Sequence, residues 1–233
     1  MAIEINGVPL GTYNANLLDF SVGTPGPDVK YFASPSTLFF KQLRVRQSLR
    51  TISLKIEFMA EEEHKVARSI SDLTSKLIGD VELMLPDGYY YICMLKKVSA
   101  PVRVYEMIYT ATFTFIGYRA GREEKHSADL NNSGIPESTS LTVKGNYIAP
   151  ATITVTAFPD AAISYGSVQY TFDVSSETVI CIDGVNKKVT DGYGYNAFKK
   201  VDITDFPILP PGKVSIYCLN ISHIDVSYRP IYW

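Results

Sequence analysis

Short segments that alternate between apolar and polar residues fill most of the second half of this chain and limit what it can fold into. After residue 140 they recur at regular intervals between turn residues: LTVKG, ATITVTAF, SVQYTFDV, TVICIDG, KVSIYCL and HIDVSYRP. A period of two residues is typical of a strand with one buried face, and many short strands at even spacing are typical of a sandwich or barrel. The second half is therefore predicted to be all β.

The first half adds one helix to a set of strands. Residues 51–58 alternate as a half-buried strand, with the apolar side chains of Ile52, Leu54, Ile56 and Phe58 on one face. Residues 61–78 are predicted to form a helix, because their apolar residues recur at helical spacing and Gly79 follows as a cap. The apolar stripe consists of Val66, Ile70, Leu73 and Leu77.

Two more stretches of the first half read as strands. Residues 81–98 predict a hairpin that turns at Pro86-Asp87-Gly88. Residues 102–118 alternate without a break and predict one long strand, with Tyr105, Met107, Tyr109, Ala111, Phe113 and Phe115 on one side. Its second face would carry Thr110, Thr112 and Thr114, a mixed surface suited to contact with a neighbouring subunit.

The composition changes in the middle of the chain. Residues 120–140 are polar and charged, which predicts a linker or a long exposed connection. We expect a domain boundary near residue 125, with domains at 1–125 and 126–233. A length of 233 residues suits two domains.

Charge and cysteine content exclude some classes of protein. A formal net charge of -2 argues against a general nucleic-acid binder. No apolar stretch is long enough for a membrane span, and the N-terminus lacks the features of a signal peptide. Cys93, Cys181 and Cys218 are widely spaced, as expected of buried thiols in a reducing compartment such as the cytosol.

No motif in the sequence predicts catalysis, a cofactor or a metal. The densest cluster of ionisable groups is EEEH, but a zinc-binding helix would need a second histidine where the chain has Arg68. A solvated first turn of the helix explains these charges. The chain also lacks a nucleophile elbow and a phosphate-binding loop, so it is not predicted to be an enzyme.

The stretch KQLRVRQSLR is basic and carries no acidic residue. Its arginines Arg44, Arg46 and Arg50 could contact an acidic partner or a neighbouring subunit. They could equally be charges that keep a strand edge from pairing. The sequence leaves both interpretations open.

Residues 178–233 carry a pattern of isoleucine-aspartate hairpin, valine strand, glycine-asparagine turn, phenylalanine-proline and proline-glycine, followed by a final strand and VSYRPIYW. This pattern resembles the siphophage distal tail protein family, and weaker likeness covers the whole length. The residues that match it as a structural motif are Asp183, Gly184, Asn196, Phe198, Phe206, Pro207, Pro211 and Gly212. In FPILPPG, Phe206 and Leu209 would be anchors, the prolines would fix φ, and Gly212 would allow the turn.

The resemblance implies a mainly β protein: a ring-forming N-terminal β-domain with one α-helix, and a C-terminal galectin-like β-sandwich. It implies a virion structural protein, a hub at the tail tip of a phage or prophage that joins the tail tube to the baseplate or receptor-binding apparatus. The expected partners are copies of itself, as a hexameric ring, together with tail tube and tail-tip proteins. Neither nucleic acid nor membrane is an expected partner.

A carbohydrate-binding module that recognises a bacterial surface glycan is the alternative function. Sugar sites use aromatic platforms, and Trp233 is terminal, so Tyr165, Tyr193 or Tyr195 would have to serve.

The apolar chain end is predicted to dock as a strand, which could pack back on the N-terminal domain.

Overall fold

The computed structural model describes residues 3–33, 40–59 and 61–233, with side chains described outside residues 27–29 and 31–47. The described chain divides into a first unit of Met1–Ala120 with Trp233 and a second unit of Gly121–Tyr232. Strands dominate both units, and the one α-helix among the described residues is α1 (Glu63–Lys76). These features agree with the predicted mainly β fold.

The first unit is an antiparallel sheet with α1 packed into its core. Its strands are β1 (Glu4–Ile5), β2 (Val8–Pro9), β3 (Ala15–Val22), β4 (Pro27–Ala33), β5 (Phe40–Gln47), β6 (Arg50–Met59), β7 (Val81–Met84), β8 (Tyr90–Val98), β9 (Val102–Tyr105) and β10 (Ile108–Ala120). The strand order is β2-β1-β7-β8-β10-β6-β3, and β9 pairs with β10. β4 and β5 pair with each other.

The apolar side chains on one face of β6 and in the apolar stripe of α1 form part of the core of this unit, as predicted. Ile52, Leu54 and Ile56 are fully buried, and so are Leu73 and Leu77 at the end of the helix. The helix is slightly shorter than residues 61–78. The positive φ of 96° at Gly79 agrees with its role after the helix end. The hairpin of β7 and β8 turns at residues 86–88 as expected, with the Gly88 N–H donating to the Leu85 carbonyl over 3.0 Å.

The prediction of one strand over residues 102–118 is wrong. β9 ends at Tyr105 and the chain turns back, so that Tyr105 lies opposite Ile108. Tyr105 and Met107 are therefore exposed, at 74% and 46%, whereas Phe113 is buried. A two-residue turn preserves the alternation on both sides of it, and no glycine, proline or asparagine marks this one in the sequence.

The second unit is an antiparallel β-structure around its own core. Its strands are β11 (Glu124–Asp129), β12 (Glu137–Val143), β13 (Ala149–Tyr165), β14 (Val168–Phe172), β15 (Thr178–Asp183), β16 (Lys188–Asp191), β17 (Val201–Ile203), β18 (Ile208–Leu209), β19 (Gly212–Tyr228) and β20 (Ile231–Tyr232). The main order is β11-β19-β13-β14-β17. β12 also pairs with β19, β15 pairs with β13 and β16, and β18 pairs with β13.

The interpretation of residues 120–140 as a linker is wrong. β11 and the first half of β12 lie in this stretch, and both pair with β19. Their burial pattern alternates between half-buried and exposed residues until Leu141, so the strands contribute few apolar side chains. The polar composition of these two strands does not predict strands. An outer strand can be held by backbone hydrogen bonds to a buried partner and needs few apolar side chains of its own. The units divide after Ala120, close to the boundary expected near residue 125.

The chain end is docked within the second unit. Tyr228 is buried, and its hydroxyl accepts the Lys144 N–H over 3.0 Å. The Pro230 carbonyl accepts the Gly121 N–H over 2.7 Å, and the Ile231 carbonyl accepts the Asn146 N–H over 3.1 Å. That the last strand also packs on the N-terminal domain stays a prediction.

Candidate functional site

The corner at residues 205–212 is a structural element of the second unit. Leu209 is fully buried and lies opposite Ala149 at the start of β13, and Pro207 is buried beside it. Phe206 is partly buried against the same core. Gly212 has a φ of 101°, which favours glycine, and begins β19. The burial of Leu209 and the partial burial of Phe206 are compatible with the predicted anchor role, which stays a prediction.

Gly184 closes this corner from the other side. Its N–H donates to the Ala151 carbonyl over 2.9 Å, and the Ala151 N–H donates to the Pro207 carbonyl over 3.0 Å. A Cβ at Gly184 would overlap the Pro207 carbonyl oxygen and lie 2.6 Å from the Ala151 oxygen. Three separate chain segments meet here at backbone distance, so the position requires glycine.

Asp183 and Asn196 organise turns rather than a reactive centre. The Asp183 carboxylate accepts the Val185 N–H over 2.8 Å and both Asn186 donors, at 3.0 Å from the backbone and 2.7 Å from the side chain. Burial raises the pKa of this carboxyl, but the hydrogen bonds from Asn186 and Val185 outweigh that effect and lower it. The Asn196 side chain accepts the N–H of Phe198, which is 49% exposed, over 2.9 Å. Such local bonds are typical of turns.

The loop between these turns presents aromatic rings to solvent. One oxygen of Asp191 accepts the N–H of Tyr193 over 3.0 Å and that of Tyr195 over 2.9 Å. The two tyrosines are 88% and 72% exposed. By contrast Tyr165, the third tyrosine named for sugar stacking, is buried beside Tyr170, whose hydroxyl donates to the Asp205 carbonyl over 2.9 Å.

The structure places the predicted contact arginines on two strands that follow each other in the chain, β5 and β6. Arg44 and Arg46 belong to β5, and their side chains lie outside the described part of the chain. Arg50 begins β6, is half-buried, and donates to the Gly23 carbonyl over 3.4 Å. Burial and the nearby Arg119 charge lower the pKa of Arg50. Their part in oligomer or partner contact stays a prediction.

The three threonines lie on the face of β10 that points away from the core residues. Thr112 and Thr114 are half-buried and lie opposite Lys55 and Ser53 of β6. Thr110, opposite Glu57, is buried at 8% exposure. The alternation therefore predicts their face correctly, and their contact with a neighbouring subunit stays a prediction.

An exposed apolar edge adjoins these threonines. It could not be predicted from the sequence, because the alternation continues through the turn. Val102 and Val104 of β9 are 60% and 58% exposed, and Tyr105 is 74% exposed. Met59 at the end of β6, across from Ile108, adds a further exposed side chain at 59%. Exposed apolar strand edges are unusual in soluble proteins, so β9 is a candidate for contact with another chain.

His223 has partners that the sequence could not show. Its Nδ1 lies 2.6 Å from Asp129, and its Nε2 lies 3.1 Å from Asp225 and 3.3 Å from the Ser127 hydroxyl. The hydrogen bond to Asp129, with that to Asp225, raises the pKa of His223. Serine, histidine and aspartate are the residue types of a nucleophilic triad, but an imidazole held between two carboxylates favours its protonated form. It makes a poor base for Ser127.

Two of the three thiols, Cys93 and Cys218, are buried. Burial raises the pKa of Cys93 to about 12 and that of Cys218 to about 11, which suppresses thiolate chemistry. Within residues 3–33, 40–59 and 61–233, no three histidine, cysteine or carboxylate side chains are grouped as metal ligands would be. In the same residues, no helix has the length and apolar character to cross a membrane.

Comparison with known proteins shows which solved structures have a similar fold. No protein-family model matches the sequence, and no curated protein does. Among solved structures, the chain is similar to the Dit protein of phage SPP1, described as a paradigm of the hub of the adsorption apparatus in phages that infect Gram-positive bacteria. The TM-score is 0.75 at 12% identity, over 100% of this chain and 99% of that one.

Two structures of the phage P2 baseplate in its activated conformation show the same fold. With calcium the TM-score is 0.62 at 12% identity, and with strontium it is 0.58 at 13% identity. Each comparison covers 98% of this chain and 97% of the other. The predicted resemblance to distal tail proteins is confirmed at the level of the fold.

Proposed function

We propose that this protein is the structural hub of a phage or prophage tail tip, joining the tail tube to the baseplate or receptor-binding apparatus. The observation that carries the proposal is the similarity to the SPP1 Dit hub over 100% of this chain, both units included. A chance likeness of common β-domains would match one unit more readily than two in sequence. The role is architectural, without catalysis.

Assembly into a ring, a hexamer by resemblance to the family, is the second part of the proposal. The exposed β9 edge supports a contact between subunits, since its apolar side chains face water in the monomer. A contact between two different surfaces of the same protein generates a closed ring when the rotation allows it. The virion tail tip is then the location of the assembled protein.

Co-expression with the tail tube and tail-tip proteins of the same phage tests the hub. The expected result is co-purification in one complex, seen as a ring by electron microscopy. Light scattering should report a mass six times the 25.9 kDa of one chain, for the protein alone or within the complex. A protein that is monomeric alone and joins no tail-tip complex would refute the proposal.

Val104→Lys tests the subunit contact. A charge on an apolar edge strand opposes pairing, so we expect at least a tenfold weaker self-association. Tyr193→Lys, an equally polar change at an 88% exposed position of the second unit, serves as the control. Equal self-association of both variants would show that β9 is not the contact.

A further inference from the structure

An exposed tyrosine stands on the outer face of the second unit. Tyr217 lies in β19 between Ile216 and Cys218, whose side chains are buried in the core. Because successive side chains of a strand point to opposite faces, Tyr217 points outward, and it is 57% exposed. A single exposed ring is common on protein surfaces, so the significance of Tyr217 depends on its surroundings.

The neighbours of this ring are small and polar. Ser138 of β12 and Ser164 of β13 lie directly opposite Tyr217 on its two sides, and Gln169 of β14 lies opposite Ser164. In the next row Ala162 lies opposite Leu219. Side chains of this size leave the faces of the tyrosine ring uncovered.

Two clefts share Tyr217 as part of their wall. One, of about 160 Å³, is lined by Pro136, Ala162, Ser164, Gln169 and Leu219. The other, of about 540 Å³, is lined by Ser167, Ile208, Pro210, Lys213 and Ser215 among others. The larger volume falls in the range of small-ligand sites, and the two together offer a groove on both sides of one ring.

The chemistry of this groove fits a sugar better than a protein. An aromatic face can stack on the apolar face of a pyranose ring, while serine hydroxyls and the Gln169 amide can bond its hydroxyl groups. A protein partner would need several apolar anchors, and the rows around Tyr217 supply mostly serine. The described residues that line the clefts include Lys213 and no carboxylate, so the ligand is neutral or anionic.

We propose that Tyr217 and its two clefts form a binding site for a hexose-containing saccharide chain. One hexose stacks on Tyr217, Ser164 and Gln169 bond its hydroxyl groups, and Lys213 lies where a phosphate or other anionic substituent would be placed. The stacking residue, Tyr217, is not one of the three tyrosines considered from the sequence, which were Tyr165, Tyr193 and Tyr195. Of these, only Tyr165 lines one of the clefts, and its ring is buried. The proposed site goes beyond the hub role and does not depend on it.

Saturation-transfer NMR and calorimetry on the intact protein test the site. The probes are maltotetraose, the tetramer of N-acetylglucosamine, a galactose disaccharide and glucose 1-phosphate. A single exposed platform predicts a dissociation constant on the order of a millimolar for at least one of them. Tyr217→Ala should weaken that binding at least tenfold, Tyr217→Phe should retain it, and Tyr193→Ala should leave it unchanged.

Lys213→Gln adds a test of the larger cleft. It should weaken binding of glucose 1-phosphate or of an anionic glycan while leaving the neutral probes unaffected. Thermal unfolding of each variant verifies that the fold is retained, and co-expression with tail proteins reports the hub role separately. Absence of saccharide binding, or equal binding by Tyr217→Ala, overturns the proposal. The proposal is also overturned if a tail protein binds this protein through Tyr217 and no saccharide binds there.

Discussion

Gly184 shows how much a single backbone position can decide in this molecule. It lies where the end of β15, the start of β13 and the corner before β18 approach one another, and its missing side chain is what lets them meet. The motif residues matched in the sequence therefore mark backbone geometry. None of them holds a reactive group toward a substrate.

Gly184→Ala is expected to destabilise the second unit strongly. The added Cβ would overlap backbone carbonyl oxygens of Pro207 and Ala151, and backbone cannot rotate away as a side chain can. Overpacking in a tight core costs roughly 1–3 kcal/mol, and backbone overlap places this variant at or above the upper end. Urea unfolding followed by circular dichroism measures it.

Gly11→Ala is the matched control, because a Cβ there would meet nothing within 4 Å. We expect its free energy of unfolding to change by less than about 0.5 kcal/mol, as at most surface positions. Similar stabilities for the two variants would show that the corner can relax around a Cβ at position 184.

At the scale of elements, the pairing of β11 with β19 carries the clearest pH dependence. Asp129 of β11 lies directly opposite His223 of β19, and their side chains are 2.6 Å apart. Asp225 and Ser127 face the same ring, and Lys125 lies near Asp225. His223, the group that gains a proton, thus joins β19 to β11 through its contact with Asp129.

The stability contributed by His223 is expected to fall as the pH rises. Its pKa in the folded protein is raised, mainly by the hydrogen bond to Asp129, so folding favours the protonated ring. The contribution is full below the unfolded pKa of about 6.5 and is lost as the pH passes the raised folded value. The groups are largely exposed, so the effect stays within about 1 kcal/mol.

His223→Gln should remove this dependence. The difference in melting temperature between the wild type and the variant is expected to be larger at about pH 6 than at about pH 8. NMR titration of the ring gives the pKa directly. A His223 pKa at or below its ordinary value would contradict the prediction, as would a melting difference that does not change with pH.

Elements whose own side chains form the core could be predicted from the sequence, and the others could not. β6 and α1 follow from their apolar periods because Leu54 and Leu73 are themselves fully buried. β11 has few buried side chains and is held by backbone pairing, so its polar composition suggested a linker. The turn after Tyr105 could not be predicted, because the apolar and polar residues alternate in the same way on both sides of it.

The candidate surfaces were harder to predict from the sequence than the strands, because the exposure of a side chain depends on its neighbours on the paired strands. The resemblance pointed to the corner residues Phe206 and Pro207, which the structure places at the edge of the core of the second unit. Tyr217 could not be distinguished from other tyrosines, since its exposure follows from the small size of Ser138 and Ser164 on other strands. No local pattern in the chain contains that information.

At the scale of the whole molecule, the two units bury separate hydrophobic clusters. Leu73 belongs to the cluster of the first unit, whereas Gly184 lies beside the cluster of the second. Residues without shared partners change stability independently. Substitutions in both units, made singly and together, therefore test whether the two cores contribute independently to the free energy of unfolding.

Leu73→Ala combined with Gly184→Ala is expected to be additive. Leu73 is fully buried, so its truncation alone should cost about 2–5 kcal/mol. The summed change should agree with that of the double variant within about 0.5 kcal/mol. A coupling energy above about 1 kcal/mol, measured by the double-mutant cycle, would show that the two cores are linked.

The position of β19 in the chain has a consequence for biosynthesis. β11, β12 and β13 all pair with this strand, yet it leaves the ribosome after all three of them. Until Gly212–Tyr228 emerges, the earlier strands of the second unit lack their shared partner, and their pairing edges stay open to other nascent chains. Strands β3, β6, β7 and β8 do not depend on this late strand, because each of them has pairing partners within residues 1–120. Slower translation of residues 212–228 should therefore lower the yield of soluble protein more than slower translation of an equal stretch within residues 1–120.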